Sequence, residues 1–134
     1  MHDLTDSQPI RVFVYGTLRR GESNAGYLRN AAYLGRAVTP PRYHLFDTGP
    51  FPAAAARGRH ALVGEVYAVD RATLRTLDRL EDISRSYNRW RIDTPYGDAW
   101  LYLWVATIDP RWPRLAGDWC QRRRLPGRGS ARRR

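Results

Sequence analysis

Apolar positions along the chain fall in short blocks separated by glycine, proline and polar residues. Residues 10–15 (IRVFVY) form a β-branched and aromatic run stopped by Gly16, the pattern of a buried strand. Residues 62–69 (LVGEVYAV) predict a second strand, and residues 33–38 and 42–46 predict two more, divided by Pro40-Pro41. A short helix is expected over 24–30. Residues 47–59 (DTGPFPAAAARGR) hold two prolines and two glycines and predict a long surface loop despite four consecutive alanines. Behind Asp70, Leu74, Leu77 and Leu80 recur every three residues, so a helix with one apolar stripe is expected over 71–80, capped by that aspartate. Strands over 90–94 and 99–106 follow, joined around Tyr96-Gly97-Asp98 as a hairpin. Asp109-Pro110, with Trp112, Leu115 and Trp119 at i, i+3 and i+7, predicts a terminal helix that lays two tryptophans on the core. Several strands, one mid-chain helix and no regular βαβ alternation predict an antiparallel α+β fold, a small barrel with helices outside it.

Length and composition narrow the class. A chain of 134 residues with 43% hydrophobic and 27% charged residues is one globular domain that needs no disulfide or metal staple. Cys120 is the sole cysteine, which excludes an intramolecular disulfide framework and any multi-cysteine zinc site. No apolar run approaches the ~18 residues of a membrane span. The opening MHDLTDSQPI carries no secretory pattern, so a cytoplasmic protein is expected. The formal charge of +10 would point to nucleic acid if it were spread over the domain. It is not: residues 122–134 (RRRLPGRGSARRR) hold seven arginines and no acid, which leaves 16 arginines against 13 acids elsewhere, a net of +3. The expected organisation is a disordered N-terminus over 1–9, a single domain over 10–121 and a disordered arginine-rich tail over 122–134, dispensable for folding. Contact with nucleic acid is expected only non-specifically, through that tail.

Two sequence segments can carry chemistry. Where the first strand runs into Tyr15-Gly16-Thr17-Leu18, successive backbone N–H groups past the turn can converge on a carboxylate or oxyanion; read alone, the tetrapeptide favours Gly16 as merely a turn and Thr17 as a cap. The chain has three glutamates, Glu22, Glu65 and Glu81. Glu81 falls at the C-terminal end of the predicted helix, where it opposes the helix dipole and its pKa tends to rise towards that of an acid/base group; an exposed glutamate paired with Arg79 or Arg85 is the competing reading. Glu65 sits within a strand on the face of Val63, Tyr67 and Val69, where a catalytic carboxylate is one reading and a buried hydrogen-bond acceptor or a solvent-facing charge is the expected one. His2, His44 and His60 share no metal-ligand spacing, so no metal site is assigned, and Cys120 reads as a packed residue at a helix end.

Taken in order, Val12-Phe13-Val14-Tyr15-Gly16-Thr17-Leu18-Arg19-Arg20-Gly21, Gly49-Pro50-Phe51-Pro52, Val63-Gly64-Glu65-Val66-Tyr67-Ala68-Val69-Asp70, and Leu77-Asp78-Arg79-Leu80-Glu81 with Tyr87 and Arg89 resemble the γ-glutamylcyclotransferase-like family, and within it the γ-glutamylamine cyclotransferase branch. The likeness spans roughly residues 11 to 106. It implies a small mixed β-barrel with flanking helices, a pocket lined by Tyr15, Gly16, Thr17 and Leu18, and one essential glutamate, Glu81 by its place in the Leu-Asp-x-Leu-Glu motif. It implies no metal and no cofactor. Tyr87 is expected to hold the polar end of a small γ-glutamyl substrate, whose own α-amine closes on its γ-carbonyl to give 5-oxoproline and a free amine. Asp82 departs from the glycine common after that glutamate, and Trp104 stands where a strand tyrosine is common. The alternatives are an inactive module that binds a small metabolite, a polyanion-associated protein working through the tail, or an amidase or transferase that uses the same glutamate.

Overall fold

The computed structural model describes residues 10–81 and 85–122. The proposed disordered N-terminus, Asp82 and the tail beyond Arg122 lie outside them. Among the described residues, eight strands form two sheets. Strands β1 (Ile10–Val14), β2 (Ala32–Val38), β5 (Val63–Val69), β6 (Tyr87–Thr94) and β7 (Gly97–Trp104) make a five-stranded sheet in the order β2-β5-β1-β7-β6. Strands β3 (Tyr43–Asp47), β4 (Pro52–Ala56) and β8 (Arg114–Leu115) make a three-stranded sheet in the order β4-β3-β8. Pairing is antiparallel except between β1 and β7, which run parallel with Val12 opposite Trp100 and Phe13 opposite Leu101. The two sheets pack against each other without closing into the expected barrel; β2 and β6 remain edges of the larger one.

The period of two along β1 builds both halves of the core. Phe13 and Tyr15 point to one side, where they meet Leu45 and Ala54 of the small sheet, Val66, Leu101, Leu103, Leu115 and Trp119. Val12 and Val14 point to the other, where they meet Tyr67, Val69, Tyr102 and the helix α1 (Arg71–Leu80). That helix forms where the leucine spacing places it, with the Asp70 carboxylate accepting from the Thr73 N–H at 2.7 Å as its N-cap. Leu77 is fully buried on the sheet, a contribution of about 1.5–3 kcal/mol, and Leu74 and Leu80 flank it. The short helix expected over 24–30 is a single 3₁₀ turn, Ala25–Leu28.

Two expectations fail for identifiable reasons. The loop assigned to residues 47–59 contains β4, paired with β3 along its whole length, and Ala53 and Ala54 are completely buried. Alanine carries little strand preference, so nothing local marks the segment; its small side chains are what let a strand fit there, and that is a tertiary demand. The terminal helix is also absent. Only one turn follows Asp109, with the Trp112 N–H donating to the Asp109 carbonyl at 3.0 Å. Pro113 then supplies no N–H and biases Trp112 away from helix, and Gly117 takes φ +66° where an added Cβ would strike the Ala61 carbonyl. Leu115 and Trp119 still reach the core, from irregular chain and the two-residue β8. The hairpin is longer than expected: β6 starts at Tyr87, and the turn is the two residues Pro95 and Tyr96, closed by Thr94 Oγ1 donating to the Gly97 carbonyl at 2.7 Å.

Arg122, the first residue of the basic run, is docked on the domain. Its guanidinium lies 4.1 Å from the Trp119 ring centroid and 2.8 Å from Glu22. Ending the chain after Arg122 should therefore leave the melting temperature unchanged, whereas ending it after Gln121 should lower it by a few degrees at most, since an exposed pair and one cation–π contact contribute about 1 kcal/mol. Thermal melts of the two truncations check this.

Candidate active site

The parallel β1–β7 pair brings the C-terminal ends of both strands to the same edge of the sheet, and the antiparallel β6 begins there. A cavity of about 330 Å³ opens at that edge, within the range of small-molecule pockets. Tyr15, Gly16, Thr17, Leu18, Glu81 and Tyr87, the six residues singled out in the sequence, all line it. So do Asn24, Phe51, Pro52, Ser86, Tyr102 and Trp104, which sequence reasoning did not assign to a site. Phe51 and Pro52 lay within a recognised motif, and Trp104 was visible as a departure from the family pattern. Asn24 carried no signal.

Past the end of β1 the chain turns, with the Arg19 N–H donating to the Gly16 carbonyl at 3.0 Å. Among the described residues, the N–H groups of Gly16, Thr17 and Leu18 have no backbone or side-chain acceptor, so three donors border the cavity free. Asn24 fastens this turn twice: its backbone N–H donates to the Thr17 carbonyl at 2.8 Å and its Nδ2 donates to Thr17 Oγ1 at 2.9 Å. Because Thr17 Oγ1 is already accepting, its own O–H is available to donate. The far side of the turn is held by Glu65, which is buried, accepts from the Arg20 N–H at 3.0 Å and pairs with Arg19 Nε at 3.1 Å. Arg19 reaches on to Asp118 at 2.7 Å. Glu65 is thus the buried acceptor that its strand position suggested, and it does not line the cavity.

Gly16 has an ordinary negative φ, so backbone freedom is not what requires glycine there. The requirement is space: a Cβ would sit 2.5 Å from Pro52 Cγ. The turn and the start of β4 approach too closely for any side chain.

Glu81 caps the C-terminus of α1, its N–H bonded to the Leu77 carbonyl at 2.8 Å. Burial pushes its carboxyl up to about 7. None of the ion pairs among the described residues includes it; Arg79 donates to Thr76 instead. The neighbouring hydroxyls stay protonated. Tyr15 donates to the Tyr102 carbonyl at 2.7 Å, and its pKa is held well above the usual value chiefly by burial, with its acidic neighbours Tyr87 and Glu81 disfavouring a second anion. Tyr87 donates to the Pro52 carbonyl at 2.9 Å and is likewise raised by burial, with Glu81 adding to it. A single carboxylate able to exchange a proton near neutrality therefore shares a mostly apolar cavity with free N–H donors. Among the described residues, no cluster of His, Cys, Asp and Glu could hold a metal ion, and Cys120, raised to about 11 chiefly by burial, is not a thiolate at neutral pH.

Fold and cavity together define a small α+β protein built around one carboxylate in an apolar pocket. Residues 12–121 match the family model described as Gamma-glutamyl cyclotransferase, AIG2-like, and the chain belongs to that family. A Vibrio cholerae protein described as a candidate gamma-glutamylcyclotransferase is 48% identical over 111 residues, 83% of this chain and 96% of the relative. The gamma-glutamylcyclotransferase family protein YtfP of Escherichia coli K12 is 39% identical over 113 residues, 84% of this chain and 98% of the relative. The solution structure of Escherichia coli YtfP superposes with TM-score 0.68 at 38% identity, covering 84% of this chain and 98% of that one. The crystal structure of an AIG2-like protein from Mus musculus superposes with TM-score 0.73 at 28% identity, covering 91% and 99%. Among the described residues, no helix is long and apolar enough to cross a membrane.

Two outcomes follow. Gly16→Ala should destabilise the protein by about 1–3 kcal/mol, because the methyl group must displace the Pro52 ring; denaturant unfolding measures it. Glu81, raised from 4.5 to about 7 in the folded state, supports folding fully below pH 4.5 and loses that contribution as pH rises through 7. The neutral variant Glu81→Gln should therefore gain in melting temperature relative to the parent between pH 5 and pH 8, and equal shifts at both pH values would contradict the buried carboxyl.

Proposed function

We propose that this chain is a γ-glutamylcyclotransferase that releases an amine and 5-oxoproline from a γ-glutamyl amine or γ-glutamyl peptide, with Glu81 as the general acid/base. The observation that carries the reading is the carboxyl of Glu81, raised to about 7 by burial, in the same cavity as the free N–H groups of Gly16, Thr17 and Leu18. Nucleophile and electrophile belong to one substrate molecule, so the enzyme has to fix the cyclising conformer, move protons and stabilise an oxyanion. Ionised Glu81 takes a proton from the α-ammonium. The α-nitrogen then bonds to the γ-carbon, and the turn N–H groups and the Thr17 hydroxyl take up the substrate carboxylate and the developing oxyanion. As the tetrahedral centre collapses, the bond from the γ-carbon to the leaving nitrogen breaks and Glu81 returns its proton to that nitrogen. Glu81, ionised again, then takes the second proton from the lactam nitrogen and passes it to the freed amine, so that of the three ammonium protons one stays on the lactam nitrogen, two leave with the amine as an ammonium ion, and Glu81 ends as it began. Tyr87, fixed by its bond to Pro52, borders the substrate with a hydroxyl oxygen that can still accept.

The test is incubation with a panel of γ-glutamyl amines and dipeptides, read as 5-oxoproline by mass spectrometry. Turnover by Glu81→Gln should fall at least ~100-fold. In the parent, kcat/KM should drop tenfold per unit as pH falls below about 7, because protonated Glu81 cannot accept the ammonium proton. Glu65→Gln should act through stability, since Glu65 anchors the turn from outside the cavity. Retained 5-oxoproline production by Glu81→Gln would assign the chemistry elsewhere, and binding without turnover in the parent would leave a metabolite-binding module.

A further inference from the structure

The cavity is lined by two unlike groups of side chains and backbone. The lining combines the turn with its free donors, Asn24 and Glu81, with an aromatic group formed by Phe51, Tyr87 and Trp104. The Trp104 ring meets Tyr87 edge to face at 5.2 Å and 86°, and Phe51 at 6.4 Å. From outside the cavity Trp112, which does not line it, meets Trp104 at 5.5 Å and 77°. The indole N–H, its one polar atom, donates to the Thr107 carbonyl at 3.2 Å, so the ring presents only apolar surface. These contacts fix the indole and leave it no polar function to offer a ligand.

Charge is distributed with equal bias. The chain carries 23 arginines, yet among the described residues none lines the cavity. The undescribed residues next to Glu81 are Asp82, Ile83 and Ser84, which add no cation to the sequence there. A second carboxylate on the leaving group would be desolvated with nothing to pair with. An ammonium on the leaving group fares no better: among the described residues Glu81 is the one acid that lines the cavity, and it is needed for proton transfer.

Resting on the cyclotransferase reading above, we propose that Trp104 is a specificity-determining residue, the platform for a leaving amine whose body beyond the nitrogen is apolar and uncharged, an arylalkyl or alkyl amine. With the glutamyl carboxylate on the turn N–H groups and the γ-carbonyl beside Glu81, the departing group extends over the indole. Trp112 is a positioning residue that holds the ring from behind.

The experiment uses the full chain and four substrates: γ-glutamylbenzylamide, γ-glutamylmethylamide, γ-glutamylglycine and γ-glutamyl-1,4-diaminobutane. The parent should favour the benzylamide in kcat/KM over the other three. Trp104→Ala should raise KM for the benzylamide about 10-fold more than for the methylamide, whose leaving group is too short to cover the ring. Trp104→Leu, which keeps an apolar filler, should fold where the alanine variant does not and show the same differential. Trp112→Ala should move the benzylamide KM in the same direction by less. A preference for the glycine or diaminobutane compound, or equal KM changes for both amides, would overturn the assignment. Calorimetric binding of the two amides to Glu81→Gln keeps the two readings apart: no turnover of any compound by the parent sinks the cyclotransferase reading, while equal affinities for benzylamide and methylamide sink this one.

Discussion

Strand β1 is the constraint on which the rest depends. It lies third in a five-stranded sheet, antiparallel to β5 on one side and parallel to β7 on the other, and it is buried on both faces. Such a strand must be apolar throughout, as IRVFV nearly is, and it cannot be displaced without opening both halves of the core. The parallel pairing has a chemical consequence. An antiparallel neighbour would deliver its opposite end to the edge where β1 stops, whereas β7 delivers Tyr102 and Trp104 beside the Tyr15 to Leu18 turn.

The helix supplies what the sheet cannot. Its leucines seat it on the face of Val12 and Val14, and one residue past the last of them comes Glu81. The same packing that makes Leu77 and Leu80 stabilising carries a carboxylate out of water, so stability and reactivity are coupled at that helix end. Around it, tyrosine hydroxyls are committed to backbone carbonyls of other elements, Tyr15 to Tyr102 and Tyr87 to Pro52, which ties β1, β4, β6 and β7 into one rim. The cavity therefore combines tyrosines anchored by these bonds with the free donors of the turn.

The arginines divide by role in the same way. The Arg19 guanidinium secures the turn through Glu65, that of Arg20 lies 4.2 Å from the Tyr33 ring centroid, and Arg89 pairs with Asp78 at the foot of the helix while lying 4.6 Å from the Trp100 ring centroid. Arg122 closes the C-terminal segment onto Glu22 and Trp119. These arginines pack and pair on the body of the domain, and among the described residues none lines the cavity.

What the sequence by itself determined was local: the β-branched runs of β1 and β5, the leucine stripe with its Asp70 cap, the glycine stop after Tyr15 and the scarcity of glutamate. Each is set by short-range preference and periodicity, and a motif order resembling one family joined Tyr15, Gly16, Thr17, Leu18, Glu81 and Tyr87 before any contact was known. Tertiary structure alone decided the rest. Ala53 and Ala54 became strand because a small sheet needed a thin partner, and residues 109–121 became irregular because Pro113 and Gly117 forbid the helix that Trp112, Leu115 and Trp119 imitate in spacing. Asn24 joined the site through a bond to Thr17, and Trp104 through rings distant in sequence. Periodicity records which side chains are apolar; which of them meet, and which carboxylate loses its water, follows from the packing of elements far apart in the chain.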